Sequence, residues 1–285
     1  MRKFDYYQPE SLKEAYKLME KVKGEAVYVA GGTDVIVRIK QRAIQPEALI
    51  SLRGIEELKE IRENGGMSLG AGILFREIEA SDKIARQYQA LYQATCVLAN
   101  PQIRNVATLG GNLCNAAPSA DSAPPLLVLE AEVELEGPGG KRRIKLEDLF
   151  TGPGQTAKEP EEIMTRINIP SQYAGTGTAF LKIGRVSQDI AIANASALVA
   201  IEGGVCRKCR LAVGAVAPVP LRLKSIEEKI EGQKIEEELL QEVEKMVCEA
   251  VSPITDVRST AEYRRAVSGV LIKRAIRQAA ARAQQ

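Results

Sequence analysis

The alternation of apolar and polar residues divides the chain into short strands and a few amphipathic helices. In SLKEAYKLMEKVK, residues 11–23, the positions Leu12, Ala15, Tyr16, Met19 and Val22 recur at helical spacing, and Ser11 with Glu14 has the spacing of a capping box. The run Val27–Val29 reads as a strand; Gly31–Gly32 breaks it, and Thr33 or Asp34 is placed to cap a following helix. Strand and turn recur in LISLRGI (49–55) and MSLGAG (67–72), and SDKIARQYQALYQATCVLA (81–99) reads as helical, with Ser81 as its cap. PPLLVLEAEVELEG (124–137) opens on a stretch of helix or strand type and becomes an alternating strand over Ala131–Glu136. GPGG (137–140) is a hairpin-type turn, TGPGQTAKEPEE (151–162) a loop, and IMTRINIP (163–170) a strand. Beyond YAGTGTAFLKIGR (173–185), strands are expected around 191–202 and 207–216, then helices over 236–251 and 261–280. This change of pattern implies a domain boundary near residue 175.

Composition narrows the partners. The 285 residues are 45% hydrophobic and 27% charged, enough for two or three cores of moderate size. With 39 basic against 37 acidic residues the net charge is +2, which argues against nucleic acid as the main partner. No apolar run follows the basic N-terminus, and no window reaches the roughly 20 apolar residues of a membrane span. Cys96, Cys114, Cys206, Cys209 and Cys248 are odd in number and scattered, which suits a reducing cytoplasm better than a disulfide framework. The Cys206–Cys209 pair in GGVCRKCRLAVG has neither a second pair nor any histidine to complete a metal site, and reads as two thiols beside a hairpin turn.

Two glycine turns are the chemically suggestive features. AGGTD (30–34) and TLGGN (108–112) each place paired glycines where an apolar strand is expected to stop, followed by a short polar side chain. Such turns either serve as tight connections or expose successive N–H groups to an anion, with phosphate or pyrophosphate the natural guest. The dinucleotide fingerprint GxGxxG and the phosphate loop GxxxxGK[ST] are both absent.

VAGGTDVIVRIKQ, ANPQIRNVATLGGNLCNAAPSADSAPPLL, FLKIGRVSQDIAIANASA and LAVGAVAPVPLR follow one another in that order. Together they resemble the FAD-binding (medium) subunit of the molybdenum hydroxylases over nearly the whole chain, more nearly the xanthine dehydrogenase branch than the carbon monoxide dehydrogenase branch. The resemblance implies an α+β chain. A two-subdomain PCMH-type FAD-binding fold (1–175, divided near 57) precedes a C-terminal domain (176–285) of a three-stranded antiparallel sheet with helices. It implies non-covalent FAD, with the diphosphate on Ala30, Gly31, Gly32, Thr33 and Asp34 from one side and on Thr108, Gly110, Gly111 and Asn112 from the other. It further places Asp121 at cofactor hydroxyls, Leu98 and Ile190 as apolar contacts, and Lys182 near the site. Lys182 could equally be a solvated lysine on a strand. Molybdopterin and [2Fe–2S] clusters are then expected on a large and a small partner subunit, with electrons passing through FAD to NAD+ or another acceptor.

Two other readings stay open. A self-sufficient flavin enzyme of the vanillyl-alcohol oxidase group would need a substrate domain, and a histidyl flavin link is impossible in a chain with no histidine. A non-enzymatic nucleotide-binding assembly protein could use the same glycine turns for another phosphate.

Overall fold

The computed structural model describes residues 3–22, 26–63, 65–173 and 175–284, so Lys23 and Ala174 of the segments above lie outside it. The helix Leu12–Lys21 forms on the anticipated face, with Leu12, Ala15 and Met19 buried. The Ser11 hydroxyl accepts from the Glu14 amide at 3.3 Å, and the Glu14 carboxylate accepts from the amide of Glu10, one residue before the cap. This helix packs on a parallel sheet in which Ala48–Ser51 lies between Asp5–Tyr7 and Ala26–Val29. The central strand is buried throughout, as a parallel strand covered on both faces must be. Its Ala48 and Ile50 join the core under the helix, while Leu49 points to the other side, beside Val29 and Ile39.

The second sheet is antiparallel, in the order Ile61–Glu63, Gly66–Gly70, Ile163–Pro170, Glu132–Gly137 and Gly140–Lys145. The GPGG turn closes its hairpin with Gly137 opposite Gly140. Two details depart from the sequence reading, and a third settles an alternative that it left open. The 81–99 segment is two helices, Asp82–Gln87 and Gln89–Cys96, broken at Tyr88 (φ −132°, ψ 54°), whose side chain is buried in the main core. The stretch 124–130 is resolved as helix, Ala123–Val128, and the 151–162 loop holds a small hairpin between Phe150–Gly152 and Gln155–Thr156.

The third sheet, antiparallel, runs Thr176–Ile183, Ala193–Glu202, Val205–Gly214, with the two-residue strand Leu221–Arg222 added to the three expected. Residues 193–200 are all buried, because both faces of the sheet are covered. Ala193, Ala195, Ala197 and Val199 belong to the core that includes Ile272 and Ile276 of the helix Ala261–Ala283; Leu198 and Ala212 join the core of the preceding sheet. Alternation along a strand therefore aims the even positions at the helices Gln89–Cys96 and Ala123–Val128. On the neighbouring strand Thr178 Oγ1 accepts from the Ala90 amide, and Phe180 packs with Ala90 and Ala94. A register shift beside Arg207 brings Cys206 and Cys209, three apart, into the same core as buried free thiols.

Candidate functional site

The two glycine turns meet. Gly31 lies so close to the Val106 carbonyl and Ala107 that a methyl group added to it would drive into that backbone. Asn115, at the end of the helix Leu109–Asn115, donates from Nδ2 to Asp34 Oδ1 at 3.1 Å. Asp34 therefore ties the turns together rather than capping the helix Val35–Lys40, which has no side-chain cap. Among the described residues, nothing accepts a hydrogen bond from the amides of Gly31, Gly32, Thr33, Asp34 or Val35. Gly32 adopts φ +77°, a conformation that glycine reaches without strain, and the space over its Cα is open except for Ile36 and Val29. Five consecutive donors without an acceptor, on a turn that leads into a helix, are of the kind that binds an anion.

The second turn divides its labour. Thr108 Oγ1 accepts from the Gly111 amide at 3.0 Å and caps the helix Leu109–Asn115. Gly110 is buried, and its amide donates to the Ala71 carbonyl at 2.8 Å. An added Cβ there would come within 2.6 Å of Ala71 Cβ, so Gly110 is required by packing and its N–H is already engaged. The resemblance expects Gly110 to line the second side of the diphosphate; the structure shows its amide held by Ala71. Gly111 is the exposed glycine of the pair, but an added Cβ would stand 2.7 Å from Thr108 Oγ1, so the cap hydroxyl would have to give way. Asn112 accepts from Ser122 Oγ at 2.6 Å, which joins this turn to the Asp121 loop.

Asp121 is only 6% exposed. Its Oδ2 accepts from Lys182 Nζ at 2.6 Å and its Oδ1 from Asn194 Nδ2 at 2.9 Å. Burial pushes its carboxyl above the usual range, against the pull of Lys182 and Asn194. Lys182, with a side chain 8% exposed, also donates to the Val97 carbonyl at 3.3 Å; the solvated-strand reading of this lysine is therefore wrong. Leu98 follows as part of the buried core. Ile190 is 48% exposed on the loop between the strands that carry Lys182 and Asn194.

Sequence reasoning missed two residues. Arg104, inside NPQIRN, is buried; it pairs with Glu79 through Nε at 3.1 Å and Nη2 at 3.0 Å, and it donates to the carbonyls of Leu98 and Ala99. Glu79 is held below its ordinary carboxylate value by that hydrogen bond. Asn194 is the other: an asparagine inside the buried run ANASALVA was the available signal.

Against this geometry the comparisons are decisive. The profile described as "FAD binding domain in molybdopterin dehydrogenase" matches residues 2–172, and "CO dehydrogenase flavoprotein C-terminal domain" matches 178–279. The chain belongs to this FAD-binding family of the molybdenum hydroxylases. It is 32% identical over 281 residues to the carbon monoxide dehydrogenase medium chain of Hydrogenophaga pseudoflava, covering 98% of each chain. It is 31% identical to the xanthine dehydrogenase FAD-binding subunit of Escherichia coli O157:H7, covering 98% of this chain and 96% of that one. A solved structure of carbon monoxide dehydrogenase from H. pseudoflava superposes with a TM-score of 0.95 at 32% identity, covering 99% and 98% of the two chains. The fold and the FAD-binding, oxidoreductase-subunit character expected from the resemblance are thus established. Similar identities to both branches leave the substrate undecided. Among the described residues no cluster of three or more His, Cys, Asp or Glu could hold a metal ion, and no helix is long and apolar enough to cross a membrane.

Proposed function

We propose that this chain is the FAD-carrying, electron-transferring subunit of a cytoplasmic molybdenum hydroxylase of the xanthine dehydrogenase type. It works beside a large molybdopterin subunit and a small [2Fe–2S] subunit. The observation that carries the reading is the row of unused amides at Gly31–Val35, set against the exposed Gly111. These residues suit a diphosphate: the donors are already oriented, and no side chain at either glycine keeps the ligand from the backbone. Ala30 begins the first turn, and Thr108 and Asn112 keep the second in shape through their own hydrogen bonds. Asp121 is the natural acceptor for cofactor hydroxyls, because a carboxylate can accept several bonds at once. Lys182 holds the charge of that carboxylate, while Leu98 and Ile190 supply apolar contact.

FAD, when bound, supplies the redox chemistry that links the partner clusters to NAD+ or another acceptor. The chain itself contributes binding and orientation, which agrees with its complete lack of histidine. The test is affinity purification from the native cell, with metal analysis and paired screens of substrates and acceptors. Molybdenum and iron on co-purifying subunits, xanthine turnover by the complex and none by the isolated chain are expected. A chain that purifies alone and oxidises an organic substrate at enzymatic rates would overturn the proposal in favour of a self-sufficient oxidase.

A further inference from the structure

We infer that Asn194 is a positioning residue of the cofactor site: its amide holds the Asp121 carboxylate in the orientation in which that carboxylate receives cofactor hydroxyls. The inference rests on the reading of Asp121 given above. Position 194 is one of the even, FAD-domain-facing positions of its strand, so the period of the strand alone aims it at Asp121. It is 0% exposed between two alanines, Ala193 and Ala195, that are equally buried. A buried amide is costly unless it is hydrogen-bonded, so packing alone would favour an apolar side chain here. The Asn194 amide makes one bond, to Asp121 Oδ1, while its own Oδ1 has no partner among the described residues. An amide retained for one bond points to that bond as its purpose.

The flanking strands support this. Asn194 is paired across the sheet with Lys182 on one side and Gly214 on the other. Lys182 donates to the second oxygen of the same carboxylate. Any side chain at Gly214 would strike Asn194 Oδ1, so the missing side chain keeps the amide in place. Three adjacent positions across one sheet therefore shape a slot for one carboxylate. Each carboxylate oxygen receives one donor from the sheet and keeps further acceptor capacity for a ligand. A lysine ammonium on a flexible stem fixes little orientation by itself; the second donor, on a short side chain of a rigid strand, sets the carboxylate plane. Lys182 is the charged side chain recorded against Asp121 among the described residues.

The test is the FAD dissociation constant of the full chain, freed of flavin and titrated with FAD by fluorescence quenching. Asn194→Ala should weaken binding by about tenfold to a hundredfold, the range for a hydrogen bond to a charged group. Asn194→Asp keeps the shape but replaces a donor by a second carboxylate. It should bind at least as poorly at about pH 8 and recover toward about pH 5.5, because two apposed carboxyls then share one proton and the introduced acid donates again. The wild type should show no such gain. In an Asp121→Ala background, Asn194→Ala should add nothing. Wild-type affinity of Asn194→Asp at about pH 8, or additive losses in the double variant, would reduce the amide to a structural role. Should the acid variant not fold, the alanine pair keeps the test decisive, since alanine introduces no charge into the buried site. If Asp121→Ala itself binds FAD normally, the reading of Asp121 falls and takes this inference with it. If only the Asn194 variants bind normally, the inference falls alone.

Discussion

Replacing Lys182 by methionine keeps most of the stem and removes the charge that faces Asp121. The pair is 2.6 Å long, and its side chains are 8% and 7% exposed. Removing one partner of a buried pair leaves an uncompensated charge and costs about 3–5 kcal/mol. Asn194 still donates to one oxygen, which favours the lower end of that range. The acid can also take up a proton. Burial already raises its pKa in the folded state, and Lys182 is the chief influence drawing it down. A folded-state value above the unfolded one means that the folded protein binds more protons in the window between them. Stability is then greatest below the ordinary carboxylate range and falls as pH rises through the folded value. Without Lys182 that folded value climbs further, so the variant should lose about 3–5 kcal/mol at about pH 8 and distinctly less at about pH 5. Urea unfolding followed by circular dichroism at the two pH values measures both. A loss under about 1 kcal/mol at about pH 8 would show the pair to be worth no more than an exposed one, and a loss equal at both pH values would refute the proton-uptake argument.

The glycines provide sharper contrasts. Gly111→Val and Gly32→Val should abolish FAD binding while the fold survives, with the positive φ of Gly32 costing about 1–2 kcal/mol and displacement of the Thr108 cap hydroxyl by the added Cβ at position 111 costing about 1 kcal/mol; equilibrium dialysis with FAD beside a melting curve checks each. Gly110→Ala should do the reverse, lowering the melting temperature through overpacking against Ala71 by about 1–3 kcal/mol, and a melting curve unchanged from wild type would contradict the packing role. Arg104→Ala should cost about 3 kcal/mol by stranding Glu79 and releasing the Leu98–Ala99 carbonyls. Glu79 has a lowered folded-state value, so the pair stabilises above the ordinary carboxylate range and is lost as pH falls; acid titration should show the wild type, not the variant, losing this increment.

Much of this was legible in the sequence because it depends on local rules. Ser11 and Ser81 cap where their spacing to the following apolar positions requires, and Gly31–Gly32 end the strand Ala26–Val29 as expected. The second pair does not end a strand: Gly110 and Gly111 sit in the first turn of the helix Leu109–Asn115. What escaped depends on residues far apart. Asp34 was read as a cap because only its neighbours were visible; its partner Asn115 stands 81 positions away. Gly110 and Gly111 look alike in sequence, and only Ala71, brought over by the second sheet, makes one structural and leaves the other exposed. Lys182 could pass for a surface residue because its strand shows no polar alternation to mark a covered face. Asn194 was hidden by the same cause: a strand buried on both sides is a continuous small-residue run, in which one amide carries no periodic signal. The substrate is not written in these motifs: medium chains of carbon monoxide dehydrogenase and of xanthine dehydrogenase match the chain about equally, at 32% and 31% identity.

The proposed site lays the FAD diphosphate across the Gly31–Val35 amides, against Gly111, with cofactor hydroxyls directed toward Asp121. An experimental structure of the FAD-loaded protein in its complex measures this directly. The account predicts diphosphate oxygens within hydrogen-bond distance of at least three of those five amides, no bond from the Gly110 amide, and Asp121 still held by Lys182 and Asn194 while it accepts from the cofactor. A diphosphate bound elsewhere, or a FAD that leaves the Gly31–Val35 amides to solvent, would contradict it.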